Sequence, residues 1–193
     1  MTRLSLKQLA QSGAANGQVP GWSTAAGMWV PTTVSGGGGG GYATGVRQIV
    51  SSLSGTVQTI TTQIPTDATI PQNTEGTQIA SVTITPQSAT SFLRIDVVIP
   101  AFTVTVNITP VAAIFRDSAA GALAASAGQT PVNNTNFRFF SAIVASGSTA
   151  ATTFKLRFGP NAAATIFVNG YSGPTTFFGG TCQTGLIVTE FGL

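Results

Sequence analysis

Few side chains in this sequence can do covalent or acid–base chemistry. It contains no histidine, one cysteine and five carboxylates in 193 residues. The commonest general base and the commonest transition-metal ligand are therefore missing. Cys182 alone can neither close an intrachain disulfide nor hold zinc. Its setting in TCQTGLIV predicts a small buried residue near the last strand. Glycoside hydrolysis needs two carboxyl groups across the scissile bond. Of Asp67, Glu75, Asp96, Asp117 and Glu190, only Asp96, Asp117 and Glu190 are candidates to converge, and each also reads as a strand-edge or loop charge. The inventory points away from an enzyme, with no catalytic residues, no metal ligands and no cofactor expected.

Charged residues make up 7% of the chain, against roughly 25% in ordinary soluble domains. So few charges signal either a membrane segment or a surface hidden in an assembly. Nothing approaches the ~18 consecutive apolar residues that a spanning helix requires, and MTRLSLKQLAQSG lacks the apolar core of a secretory signal. An assembly is the better explanation, because a charge-poor surface favours self-association and a closed symmetric oligomer satisfies it in a defined way. Arg3 and Lys7 supply two of the three net positive charges. From Tyr42 onward six Lys and Arg stand against five carboxylates, a net of +1. A phosphate backbone needs many more cations on one face. Neither nucleic-acid binding nor membrane insertion is expected.

The elements that must position whatever chemistry remains fall into two unlike parts, joined by the glycine run 36–41. Such a run has no side chain to pack and reads as a flexible hinge. Residues 1–35 before it carry no acidic residue. There Leu4, Leu6 and Leu9 suggest one turn of amphipathic helix, too short to stand alone. Further on, STAAG separates a segment holding Trp22 from one holding Trp29, which predicts a small hairpin presenting both tryptophans of the chain. Paired aromatics outside the main domain are good docking anchors, since aromatic burial dominates interface energetics.

Residues 42–193 read as one β-domain. Val46, Val50, Leu53, Val57, Ile60 and Ile64 follow heptad spacing, which would suit a short coiled coil. Gly55 and the Ser/Thr-rich surface argue instead for two strands with a turn at Ser54-Gly55. Strand-like runs follow at 77–84, 91–99, 103–108, 111–117, 137–145, 152–158, 164–169 and 185–191, punctuated by turn clusters. In SFLRIDVVI, Phe92, Arg94 and Asp96 share one face, and Leu93, Ile95 and Val97 the other. The pattern predicts an all-β, jelly-roll-like antiparallel β-sandwich. Its expected core includes Phe92, Ile95, Val97, Ile114, Phe139 and Ile143, with Phe154, Leu156, Ile166, Phe167, Ile187 and Val188. Glu75 is expected to cap the turn between Ile70 and Gly76, and Asp117 to bond its own turn. Arg94, Arg138 and Arg157 are candidates to pair with Asp96 or Glu190.

Several motifs in one order carry a resemblance. IPTDATIPQNTEGTQIASVTITPQSATSFLRIDVVI, then AIFRDSAAGALAA, ATTFKLRFGP and LIVTEF, are similar to a β-domain of tailed-bacteriophage fibre and tail proteins, over about Arg47 to Phe191. LAQSGAANGQVPGWSTAAGMWVP resembles an LxQSGAxxGQVxxWNGxxWVP element near the start of phage fibre and spike subunits. The apolar stretch AFTVTVNIT departs from the pattern. The resemblance implies a trimeric jelly-roll-like domain with a role in virion structure and host adsorption.

On that reading the chain is a short trimeric virion fibre or spike. Its partners are two further copies of itself, other virion proteins bound through the N-terminal segment (Leu4, Leu6, Leu9, Trp22 and Trp29), and a host-surface glycan. Loop chemistry nominates Asn133, Asn134, Asn136, Asn161, Asn169 and Tyr171 as receptor contacts, with plain solvated turns as the alternative. Two other functions fit the same inventory: a capsid-decoration protein with a purely structural role, and a carbohydrate-binding module.

Overall fold

The computed structural model describes residues 18–33 and 45–192. Leu4, Leu6 and Leu9, and the glycine hinge 36–41, lie outside the described residues. By packing, the chain divides into the units Met1–Tyr42 and Ala43–Leu193.

The first unit contains the expected hairpin. Strands β1 (Gln18–Ser23) and β2 (Met28–Thr33) pair antiparallel with Trp22 opposite Trp29. The turn closes where Gly27 takes φ +62° and its N–H donates to Ser23 O at 2.8 Å. A left-handed position of this kind costs a non-glycine residue about 1–2 kcal/mol. The two indoles meet edge to face at 5.8 Å and stay 55% exposed.

The second unit is an antiparallel β-sandwich, and its strands are β3 (Gly45–Ser54), β4 (Gln58–Ile60), β5 (Thr77–Ile84), β6 (Phe92–Val104), β7 (Pro110–Arg116), β8 (Ala124–Ala127), β9 (Asn136–Ala145), β10 (Thr152–Pro160), β11 (Ile166–Val168) and β12 (Thr184–Gly192). One sheet has the order β5-β10-β7-β8. The other has the order β3-β12-β6-β11-β4, with β9 also paired to β6. The chain crosses between sheets from β4 to β5, β5 to β6, β6 to β7, β8 to β9, β9 to β10 and β10 to β11. This is jelly-roll-like connectivity. Strands, not a coiled coil, occupy the heptad-spaced segment. The turn between β3 and β4 uses Gly55 because a Cβ there would collide with the Gly180 carbonyl.

Between the sheets lies one apolar core, including Ile95, Phe102, Ile114, Phe154, Leu156 and Phe158. Each such side chain contributes roughly 1.5–3 kcal/mol by leaving water. Leu93, Ile95 and Val97 face this core and Arg94 and Asp96 face outward, as the alternation predicts. The separate strand expected at 103–108 does not form. Instead β6 runs on through Pro100 to Val104, and Phe102 and Val104 join the core. Pro100 is tolerated because it sits where the β6–β9 register shifts, between Ile99 and Phe102, and there its missing N–H breaks no ladder bond.

Phe92, Phe139 and Ile143, expected in the core, are instead 41%, 55% and 67% exposed. Both faces of β9 are rich in apolar residues, so its sequence does not say which face turns inward. The face that does turn inward holds Phe140, Ala142 and Val144, and with them Arg138, which lies opposite buried Ile99. Arg138 Nη2 donates to Gly128 O at 3.2 Å, and the guanidinium sits 5.9 Å over the Phe102 ring. Burial lowers its pKa. Cys182 is half-buried and free in the loop before β12, more open than expected.

Candidate functional site

The three candidate catalytic carboxylates do not converge. Asp96 projects from the outer face of β6, paired with Arg94 at 2.9 Å. Asp117 follows β7 in the other sheet, where it adopts φ +51° and accepts from Thr153 N at 2.7 Å. Glu190, on β12, turns the opposite way from Asp96 and is fully buried. Its carboxylate accepts from Gln48 Nε2 at 2.6 Å, Gln87 N at 2.9 Å and Ser88 N at 3.2 Å. Burial raises its pKa, but these donors and the neighbouring Ser91 hydroxyl outweigh that and hold it below the ordinary value. The Ser91 hydroxyl makes no hydrogen bond of ordinary geometry, so the amide donors carry the effect. Glu190 ties the β5–β6 connection to β12 and β3. Glu75 is also structural, accepting from Gln72 N at 2.9 Å across its turn. Arg157 bonds the Gly76 carbonyl at 2.7 Å, and not a carboxylate. Among the described residues, no three His, Cys, Asp or Glu side chains cluster as metal ligands.

Of the six loop residues nominated for receptor contact, Asn133 and Tyr171 come together. They line one cleft of about 490 Å³ with Thr103, Thr105, Phe167 and Ser172. Thr103 Oγ1 lies 3.2 Å from both the Gly170 and Tyr171 carbonyls, which fixes the loop against β6. Tyr171 is 58% exposed, with its ring resting on buried Phe177 at 4.2 Å. Asn133 takes φ +61°, a region that asparagine tolerates better than other side chains, and its N–H reaches the Val104 carbonyl. The result is an exposed aromatic ring beside amide and hydroxyl groups. Such a surface stacks on an apolar ring face and hydrogen-bonds its hydroxyls.

The other four lie apart or are already used. Asn134 is exposed on the same turn as Asn133. Asn136 opens β9 and bonds Thr130 Oγ1 at 3.1 Å. Asn161 accepts from Thr109 N at 2.8 Å and so braces a loop. Asn169 is a correction: it is fully buried. Its Nδ2 donates to Ser54 O and Thr56 O, and its Oδ1 accepts from Thr184 Oγ1 at 2.8 Å. Having no free donor or acceptor at the surface, it positions the turn after β11.

Sequence reasoning missed Thr103, Thr105, Phe167 and Ser172, because their proximity comes from β6 pairing with β11. It also missed Phe178, which is 79% exposed at φ +46°. Its signal was an apolar pair followed by two glycines, Phe177-Phe178-Gly179-Gly180. A bulky residue in the left-handed region is a strained outlier.

No protein-family model matches the chain, and no curated protein sequence matches it. The solved structures to which the chain is similar include the following two. A TNF, Eiger, from S. frugiperda is 9% identical with a TM-score of 0.36, over 75% of this chain and 93% of that one. The VP2 subviral particle of infectious bursal disease virus is 11% identical with a TM-score of 0.35, over 90% of this chain and 42% of that one. Among the described residues no helix is long and apolar enough to cross a membrane.

Proposed function

We propose that the chain is a non-enzymatic structural protein of a bacteriophage virion, a short trimeric fibre or spike subunit. Residues 1–35 anchor it to other virion proteins, and the sandwich is displayed towards the host surface. The observation that carries the reading is the division of labour between the two units. One presents two edge-to-face, half-exposed tryptophans on a hairpin. The other carries an aromatic and asparagine cleft on a sandwich. Exposed indoles serve an anchor, since aromatic side chains supply most of the energy of small interfaces. A shallow cleft suits a weakly held glycan, whose avidity comes from three copies per fibre and many fibres per particle.

The test is adsorption. Soluble chain in excess should block attachment of the parent particles to host cells, and Tyr171→Ala should lose most of that block while keeping its thermal stability. A soluble chain that leaves attachment untouched would reduce the role to capsid decoration.

A further inference from the structure

The outer face of the larger sheet lacks the polar cover expected of a surface facing water. The β6–β9 and β6–β12 registers put Ile143 opposite Arg94, Phe139 opposite Val98, and Ile187 opposite Asp96. From β9, Phe137, Phe139 and Ile143 stand outward at 61%, 55% and 67% exposure. From β3, Val46, Ile49 and Leu53 stand outward at 55%, 61% and 40%. Phe92 lies between them. Together they expose roughly 750 Å² of apolar surface, taking ~200 Å² for each fully exposed large side chain. The largest patch on a typical monomer is about 300–600 Å².

We infer that this face is the surface through which copies of the chain bind one another. The inference rests on the trimer of the proposed function and assigns it a location. Three observations favour another copy over a different partner. The area is close to the ~800 Å² that each side of a standard stable interface buries. The charge at the centre of the face is already neutralised within the protomer: Arg94 pairs with Asp96 at 2.9 Å and lies 5.8 Å over the Phe191 ring. A charged partner finds nothing there to complement. Third, β9 has no strand partner beyond β6 among the described residues, and its sequence NFRFFSAIVA has no proline, and its arginine turns inward. That inward arginine guards only one end of a ten-residue edge, and a self-interface covers the rest as soon as the chain is made. A hollow of about 340 Å³ beside Asp96, Val98, Phe139 and Ser141 gives a neighbouring copy a place to seat an apolar side chain.

The experiment is light scattering on the full chain and on Phe139→Glu and Ile143→Glu, with circular dichroism as the folding control. The wild type should be a trimer at all concentrations. Both variants should keep the β spectrum and fall about threefold in mass. Trimeric variants would overturn the assignment of this face and leave the trimer itself standing. A monomeric wild type would overturn both. If the glutamate variants do not fold, maleimide labelling of Phe139→Cys and Ala125→Cys in a Cys182→Ser background decides the matter. Ala125 is exposed on the other sheet. Protection at 139 and rapid labelling at 125 support the interface, and equal rates overturn it.

Discussion

Glu190→Gln keeps the shape of a fully buried side chain and removes its charge. In the wild type, Oε1 accepts from Gln87 N at 2.9 Å and Ser88 N at 3.2 Å, while Oε2 accepts from Gln48 Nε2 at 2.6 Å and from the same Gln87 N at 3.0 Å. A glutamine keeps both backbone bonds only with its oxygen at the Oε1 position. Its amide nitrogen then faces Gln48 Nε2, donor to donor. Gln48 cannot turn over freely, because the same nitrogen also donates to Thr85 O at 2.7 Å. Two charge-assisted bonds become neutral, each losing about 1 kcal/mol, and one further bond of about 1 kcal/mol is lost. The expected destabilisation at neutral pH is ~2–3 kcal/mol, read by denaturant unfolding at one fixed protein concentration. The pH dependence gives a second check. The folded-state pKa of Glu190 lies below the ordinary glutamate value of 4.5. Its contribution is therefore fully present above that value and drains away as pH falls through the lower folded-state value. The gap between wild type and variant should close on acidification. Asp67, also held low by the Thr69 hydroxyl and amide, is common to both proteins and cancels. A variant within ~0.5 kcal/mol of wild type at neutral pH, or a gap that persists into acid, would show that the Glu190 charge does not stabilise the fold.

Asn169→Ala should cost ~2–3 kcal/mol, since it orphans the buried Thr184 hydroxyl, removes the donor to the part-buried Ser54 and Thr56 carbonyls and places alanine at a left-handed position. Thermal melts would register it as a stability defect. Gly185→Ala puts a Cβ against the Ser52 carbonyl across the β3–β12 ladder and should lower stability by at least ~2 kcal/mol, with loss of amide exchange protection in β3. Trp22→Ala with Trp29→Ala should leave the melting of the sandwich within about a degree of wild type, because the indoles lie in the other unit. The same double variant should be missing from purified particles.

Elements with one polar and one apolar face were legible in the sequence. Leu93, Ile95 and Val97 alternate with Arg94 and Asp96, and β6 forms with that orientation. The Trp hairpin was legible because STAAG punctuates it and Gly27 supplies its turn. Strand β9 was legible as a strand and not as an orientation. Apolar residues lie on both its faces, and Arg138, the natural marker of an outer face, turns inward over Phe102. Glu190 could not be recognised as buried, because its donors come from Gln48, Gln87 and Ser88, far away in the chain. Strand β8, built of alanine and serine, had no hydrophobic period to reveal it. The cleft was half visible. Asn133 and Tyr171 carry binding chemistry in any loop, but only the β6–β11 pairing brings Thr103 and Phe167 beside them.

Membership of a virion, proposed above for this chain, is open to a single measurement. Quantitative mass spectrometry of gradient-purified particles of the proposed phage decides it. The chain should co-purify with the particles at a copy number divisible by three, and remain through washes that remove host proteins. Its absence from purified particles, with the chain recovered only in the soluble lysate, would exclude a virion role.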